Sequence, residues 1–195
     1  FSGTPALTAN NLTLTASTLT NLNNATLAVS NALTLRPSTA ASTIGLAGGA
    51  GTFSLDAAEI AKIKASGASS ITLGVAGGTG ALTLGANVDL AGRAVTLQNG
   101  RINDATRILI ADSLTLNLTS TAGANTVRTN VNALSLNTSA ASSAANRSAT
   151  ITEADGVALG TMNLGTGTLT LTAGGAVTQT GALTAATLSL TNTAG

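Results

Sequence analysis

The chain has 195 residues and a net charge of +1, with only 8% charged residues, 1% aromatics, no Cys and no His. So little charge leaves no basic footprint for nucleic acid and no acidic tail. The absence of Cys and His removes the usual ligands of zinc sites and the usual partners in nucleophilic triads. Apolar residues make up 44%, chiefly Ala, Leu, Val and Ile, so the expected core is narrow and built from small aliphatics. Disorder would need low hydrophobicity with high net charge, and neither is present.

The first apolar–polar–apolar triplet is Leu12-Thr13-Leu14. It recurs as Leu33-Thr34-Leu35, Phe53-Ser54-Leu55, Ile71-Thr72-Leu73, Leu82-Thr83-Leu84, Val95-Thr96-Leu97, Leu114-Thr115-Leu116, Leu134-Ser135-Leu136 and Leu188-Ser189-Leu190. Alternation with period two is the mark of a half-buried strand. The fullest version runs from Thr168 to Gly181: Leu169 and Leu171 on one side, Thr168, Thr170 and Thr172 on the other, a Gly174-Gly175 turn, then a second strand with Val177. Most triplets follow one another at intervals near 20 residues. Leu73 to Leu97 is longer and holds extra strand-like pieces at Leu84 and Leu90. Leu136 to Leu171 is close to two periods, with the intervening strand near Ala149-Thr150-Ile151 or Val157-Ala158-Leu159.

A period near 20 with two or three short strands and Gly, Asn or Ser at the corners describes a coil of a solenoid. The sequence therefore predicts an all-β fold, a right-handed parallel β-helix (β-solenoid). About ten coils form one continuous segment over 1–195, a rod of about 45–50 Å at the ~4.8 Å strand spacing. The chain lacks an initiator Met and stops in mid-pattern, which reads as a processed chain or part of a longer one. No apolar run approaches the ~20 residues of a membrane span.

One stretch departs from period two. In Leu55-Asp56-Ala57-Ala58-Glu59-Ile60-Ala61-Lys62-Ile63-Lys64-Ala65-Ser66-Gly67, Asp56 offers an N-cap with Glu59 three residues on, and Lys62 and Lys64 precede a Gly stop. These signals predict one short helix near 56–65, lying over an edge or corner of the rod. Asn10, Asn11, Asn21, Asn23, Asn24 and Asn31 are expected at coil corners, where Asn tolerates left-handed backbone and can form ladders between coils. Low-complexity Ser139–Asn146 is expected as an outward loop.

The stretch Phe53–Ile63 leading into Ile71-Thr72-Leu73-Gly74, and the tract Leu169–Gly195, resemble segments of very large bacterial exoproteins of the filamentous haemagglutinin type. That resemblance implies a right-handed parallel β-helix shaft, an adhesin displayed at the cell surface, and secretion by a two-partner or autotransporter route through an outer-membrane transporter.

Candidate chemistry is sparse. Gly48-Gly49-Ala50-Gly51 and Gly77-Gly78-Thr79-Gly80 lack the Lys and following helix of a phosphate cradle and are read as turns. The best enzyme-like constellation is Asp89, Asp104 and Asp112 with Arg93, Arg101 and Arg107 on stacked coils, as a polysaccharide-processing site would need. Charge pairing, such as Asp104 with Arg101 or Arg107, is the simpler role, and sugar clefts usually carry aromatic platforms that this chain lacks. Thr-x-Thr pairs suggest an ice-binding array, but Ser54, Asp89, Ser135 and Ser189 interrupt any single column drawn through the triplets. Asn11, Asn24, Asn117, Asn137 and Asn146 open sequons compatible with surface glycosylation. No residue is assigned a catalytic, cofactor-binding or metal role. The expected function is a non-catalytic structural shaft of a secreted or surface-displayed adhesin. The alternative is a segment of a self-assembling extracellular fibre, associating through its end coils.

Overall fold

The structure, a computed structural model, describes residues 3–193. In chain order the strands and helices are β1 (Ala6–Ala16), β2 (Thr26–Pro37), β3 (Ile44–Leu46), β4 (Phe53–Leu55), α1 (Ala57–Ala65), β5 (Ser70–Gly74), β6 (Leu82–Leu84), β7 (Val88–Asn99), β8 (Asn103–Leu118), β9 (Asn125–Asn137), α2 (Ala144–Arg147), β10 (Ala149–Glu153), β11 (Val157–Asn163), β12 (Thr168–Ala173), β13 (Val177–Gln179), β14 (Leu183–Thr184) and β15 (Thr187–Asn192). They wind into a parallel β-solenoid of about nine turns, 8% helical.

The long strands β1, β2, β7, β8 and β9 each run through more than one face, with register shifts in the β1–β2, β7–β8 and β8–β9 pairs. On the first face, β1, β2, β5, β7, β8 and β9 stack in that order. Their triplets lie in strict register, with Leu14, Leu35, Leu73, Leu97, Leu116 and Leu136 forming one inward column. Met162 and Leu183 extend that column through β11 and β14. Leu33, Leu35, Ile71 and Leu73 are fully buried, each contributing about 1.5–3 kcal/mol of burial. The second face joins Val88, Leu90 and their neighbours on β7 to β8. On the third face β9, β10, β12 and β15 pair in order, so that Val127, Ile151, Leu171 and Leu190 line up.

The structure corrects the assignment of triplets to a single rhythm. Phe53-Ser54-Leu55 and Leu82-Thr83-Leu84 do not stack with Leu33-Thr34-Leu35. They belong to a separate sheet ordered β4-β3-β6, and β2 pairs directly with β5. Leu171 and Leu190 likewise lie on the third face, whereas Leu136 is followed on the first face by Met162. A Leu-x-Leu strand looks the same on every face, because side-chain alternation says which residues point inward and not which side of the prism they belong to.

Helix α1 forms where the sequence places it. Asp56 Oδ1 accepts the Glu59 N–H at 2.8 Å while Glu59 Oε2 accepts the Asp56 N–H at 3.0 Å. Ile60 and Ile63 are buried beneath the helix, which packs against β2, β7 and the 3-10 turn at Leu22–Asn24. After the helix, Ser66 O accepts the Val29 N–H at 2.8 Å. The helix thus fills the second face between β2 and β7, where a strand would otherwise run. Lys64 Nζ reaches Asp89 Oδ1 at 2.7 Å, an exposed pair worth about 0–1 kcal/mol.

Glu59 also does something that the sequence did not reveal. Its side chain is buried, and Oε1 accepts the Leu22 N–H at 2.9 Å across 37 residues of chain. Glu59→Ala is expected to destabilise the protein by about 2–4 kcal/mol, since it orphans a buried N–H and removes half of a capping box. The urea midpoint measures this. Glu59→Gln keeps only one of the two acceptor oxygens and sets an NH2 against the other N–H, so it should lose less than Glu59→Ala but remain below the parent.

The low-complexity loop is also corrected. Ser143 Oγ accepts the Asn146 N–H and starts the one-turn helix α2. The loop folds back onto the rod instead of standing out. Ala141 is buried, Arg147 Nε donates to Ala141 O at 3.0 Å, and Arg147 Nη1 donates to Thr166 Oγ1 at 2.9 Å.

Candidate functional surface

The acidic and basic residues singled out from the sequence do not converge. Asp89 accepts from Lys64 and from the Ala91 N–H. Arg93 donates to Lys64 O at 2.7 Å, and Arg101 to Ala124 O at 2.7 Å. Asp104 pairs with Arg107 at 3.3 Å, not with Arg101, and also accepts the Thr106 and Arg107 N–H groups and the Thr106 hydroxyl. Asp112 accepts from Asn132 at 2.8 Å. Each charge is engaged locally. Among the described residues no three acidic side chains gather closely enough to hold a metal ion.

The electrostatics agree with that reading. The Lys64 ammonium and the Ala91 N–H hold the Asp89 carboxyl below the ordinary aspartate range. Burial pushes Asp104 upward, but N–H donors from Arg107 and Thr106, with the Thr106 hydroxyl, outweigh it and leave the group lowered. Both groups favour the folded state above the ordinary aspartate value, and that contribution is lost as pH falls through their folded values.

Glu153 is the exception. It faces the interior beside Thr129, and both are nearly fully buried. Its Oε1 accepts the Val131 and Ala154 N–H groups at 3.1 and 3.0 Å. Its Oε2 and the Thr129 Oγ1 lie buried without a well-formed bond. Burial raises the carboxyl above the ordinary glutamate range, and the nearby Thr129 hydroxyl and the N–H donors offset only part of that. The folded state therefore holds this proton more tightly than the unfolded chain. Its contribution is fully present below the ordinary glutamate value and fades as pH rises through the folded value. Glu153→Gln keeps the acceptor oxygen and supplies a donor toward Thr129. It is expected to be more stable than the parent at about pH 8 and nearly equal to it at about pH 4, as read from urea midpoints at the two pH values.

The outer corners carry side-chain ladders, as expected for Asn in a solenoid. Asn31 Nδ2 donates to Asn11 Oδ1 at 2.8 Å, and Ser30 donates to Asn10 at 3.0 Å. Asn146 has another role. It is largely buried, its Oδ1 accepts the Gly123 N–H at 2.6 Å, and its Nδ2 donates to Ser142 at 2.7 Å. This sequon is closed to a surface glycan in the folded chain.

The faces themselves carry regular hydroxyl columns. Thr13, Thr34, Thr72, Thr96 and Thr115 stack in register on the first face, followed by Ser135. On the third face two adjacent columns form, Thr150–Thr170–Ser189 and Thr152–Thr172–Thr191, with Thr168–Thr187 beside them. Two of the four interruptions read from the sequence, Ser54 and Asp89, came from mixing faces, whereas Ser135 and Ser189 do stand in the columns. Ser54 is in the separate small sheet, and Asp89 stacks on Ile110 of the second face. Only register, which is a property of the folded stack, reveals the columns. No protein-family model, curated protein or solved structure matches the chain.

Proposed function

We propose that the chain is part of the non-catalytic shaft of a secreted or surface-displayed bacterial adhesin of the filamentous haemagglutinin type. The observation that carries this reading is the inward column from Leu14 to Leu183, which stays in register through eight strands of the first face. A stack in which each coil touches only its neighbours makes a stiff spacer whose length grows with coil number. Local engagement of Asp89, Asp104 and Asp112 supports a spacer over an enzyme. The resemblance of Phe53–Ile63 and of the last repeats supplies the surface location and an outer-membrane transporter as secretion partner. Protease shaving of intact producing cells tests it. Release of solenoid peptides from the surface, with adhesion lost alongside, is the expected result. A chain protected until lysis would overturn the reading.

A fibre-forming segment is the second reading, in which the edge of β15, where Leu188 and Leu190 are 48% and 49% exposed, pairs with a second copy and not with further coils of one chain. A further copy stacked on β15 would cover them. Electron microscopy at high protein concentration would then show end-to-end filaments, and uniform short rods would exclude them.

A further inference from the structure

The outward sides of β10, β12 and β15 make a two-dimensional grid. Thr150 and Thr152 stand over Thr170 and Thr172, which stand over Ser189 and Thr191, and Thr168 stands over Thr187. Along the rod the rows repeat at ~4.8 Å, and along each strand alternate residues lie ~6.7 Å apart. The grid carries no charged side chain, and Arg128 on β9, in register with Thr152, marks its border.

The grid hydroxyls are also unengaged. At some other surface positions polar side chains in successive coils bond to one another, as Arg36 does with Thr15 at 2.8 Å and Asn132 with Asp112. None of the eight grid hydroxyls has a hydrogen-bond partner among the described residues. Threonine is stiff about χ1, so its hydroxyl and methyl are held in place before any partner arrives, which lowers the entropy lost on binding.

The partner must be neutral, to match an uncharged face, and must itself repeat on the same two perpendicular distances. A polysaccharide would be expected to stack on aromatic rings. The chain has no Trp or Tyr, and Phe53 is buried. The oxygen lattice on a prism face of ice meets both requirements, since it is neutral and repeats on closely similar spacings in two directions. We propose that the face built by β10, β12 and β15 binds ice, with the threonine hydroxyls and methyls organising a layer of water that joins the crystal lattice.

The test uses the full chain. Purified protein is taken through slow directional freezing, and thermal hysteresis is recorded on the same samples. Uptake into the ice and measurable hysteresis are expected. Thr170→Lys, at the centre of the grid, should abolish both while leaving the circular dichroism spectrum and urea midpoint unchanged. Thr96→Lys, an equivalent outward position on the first face, should retain both. Exclusion of the parent chain from ice overturns the proposal, as does equal activity of Thr170→Lys and Thr96→Lys. Capture by an insoluble polysaccharide without uptake into ice would assign the grid to a glycan and overturn it equally.

Discussion

Leu134→Ala is expected to lower the stability of the rod by about 2–5 kcal/mol, the range for truncating a fully buried leucine in a core that can collapse only partly. Leu134 is 0% exposed and lies in a second inward column, beside the one through Leu136, between Leu114 on β8 and Leu159 on β11. The core of this coil is a small set of inward side chains, Val127, Val131 and Leu136 beside Leu134, with little spare bulk to fill the gap. In a stack held together by nearest-neighbour interfaces, a weak coil in the middle also loosens the coupling between the two ends. Urea unfolding of Leu134→Ala should therefore show a lower midpoint and a broader transition than the parent. A loss below about 1 kcal/mol, the usual size of a surface change, would mean that this column is not the core.

Gly74→Val should be as damaging, for a different reason. Gly74 ends β5 with φ at +101°, a backbone state that side chains with a Cβ avoid, and a Cβ there would collide with the Gln98 carbonyl oxygen of the next coil. Strain at a positive φ and overpacking against backbone together are expected to cost about 3–5 kcal/mol. Thermal unfolding of the variant measures this. Gly48→Ala provides the comparison: φ is +82° there too, but a Cβ would meet nothing within 4 Å, so only the backbone strain applies and the loss should be smaller.

Much of the fold is legible in particular residues. Period-two triplets gave the strands, and Asp56 with Glu59 gave α1 with its capping box. Asn11 and Asn31 gave a corner ladder. What the sequence hid is whatever depends on contact across coils. Thr34 and Ser54 sit in near-identical triplets, yet one is in the main stack and the other in the small sheet, since the detour through β3, β4 and α1 is decided by packing and not by alternation. The burial of Glu59 and Glu153 is not visible in the sequence, because glutamate is usually exposed. Their burial follows from backbone N–H groups, at Leu22, Val131 and Ala154, that no local pattern locates. The threonine grid was visible as Thr168, Thr170 and Thr172, but its second dimension appears only once β10 and β15 are placed on either side of β12.

The order of coils in the stack can be read directly, because the chain has no cysteine of its own. Thr34 and Thr72 are register partners on β2 and β5 although 38 residues separate them in the chain, and Ser54 lies between them only in sequence. Stacked positions about 4.8 Å apart fall within the Cα separation of ~4.4–6.8 Å that a disulfide spans. Under mild oxidation the pair Thr34→Cys and Thr72→Cys is expected to cross-link rapidly and within one chain, while Thr34→Cys with Ser54→Cys stays reduced. Cross-linking of the 34–54 pair, with the 34–72 pair left free, would place β4 in the main sheet and contradict this stack.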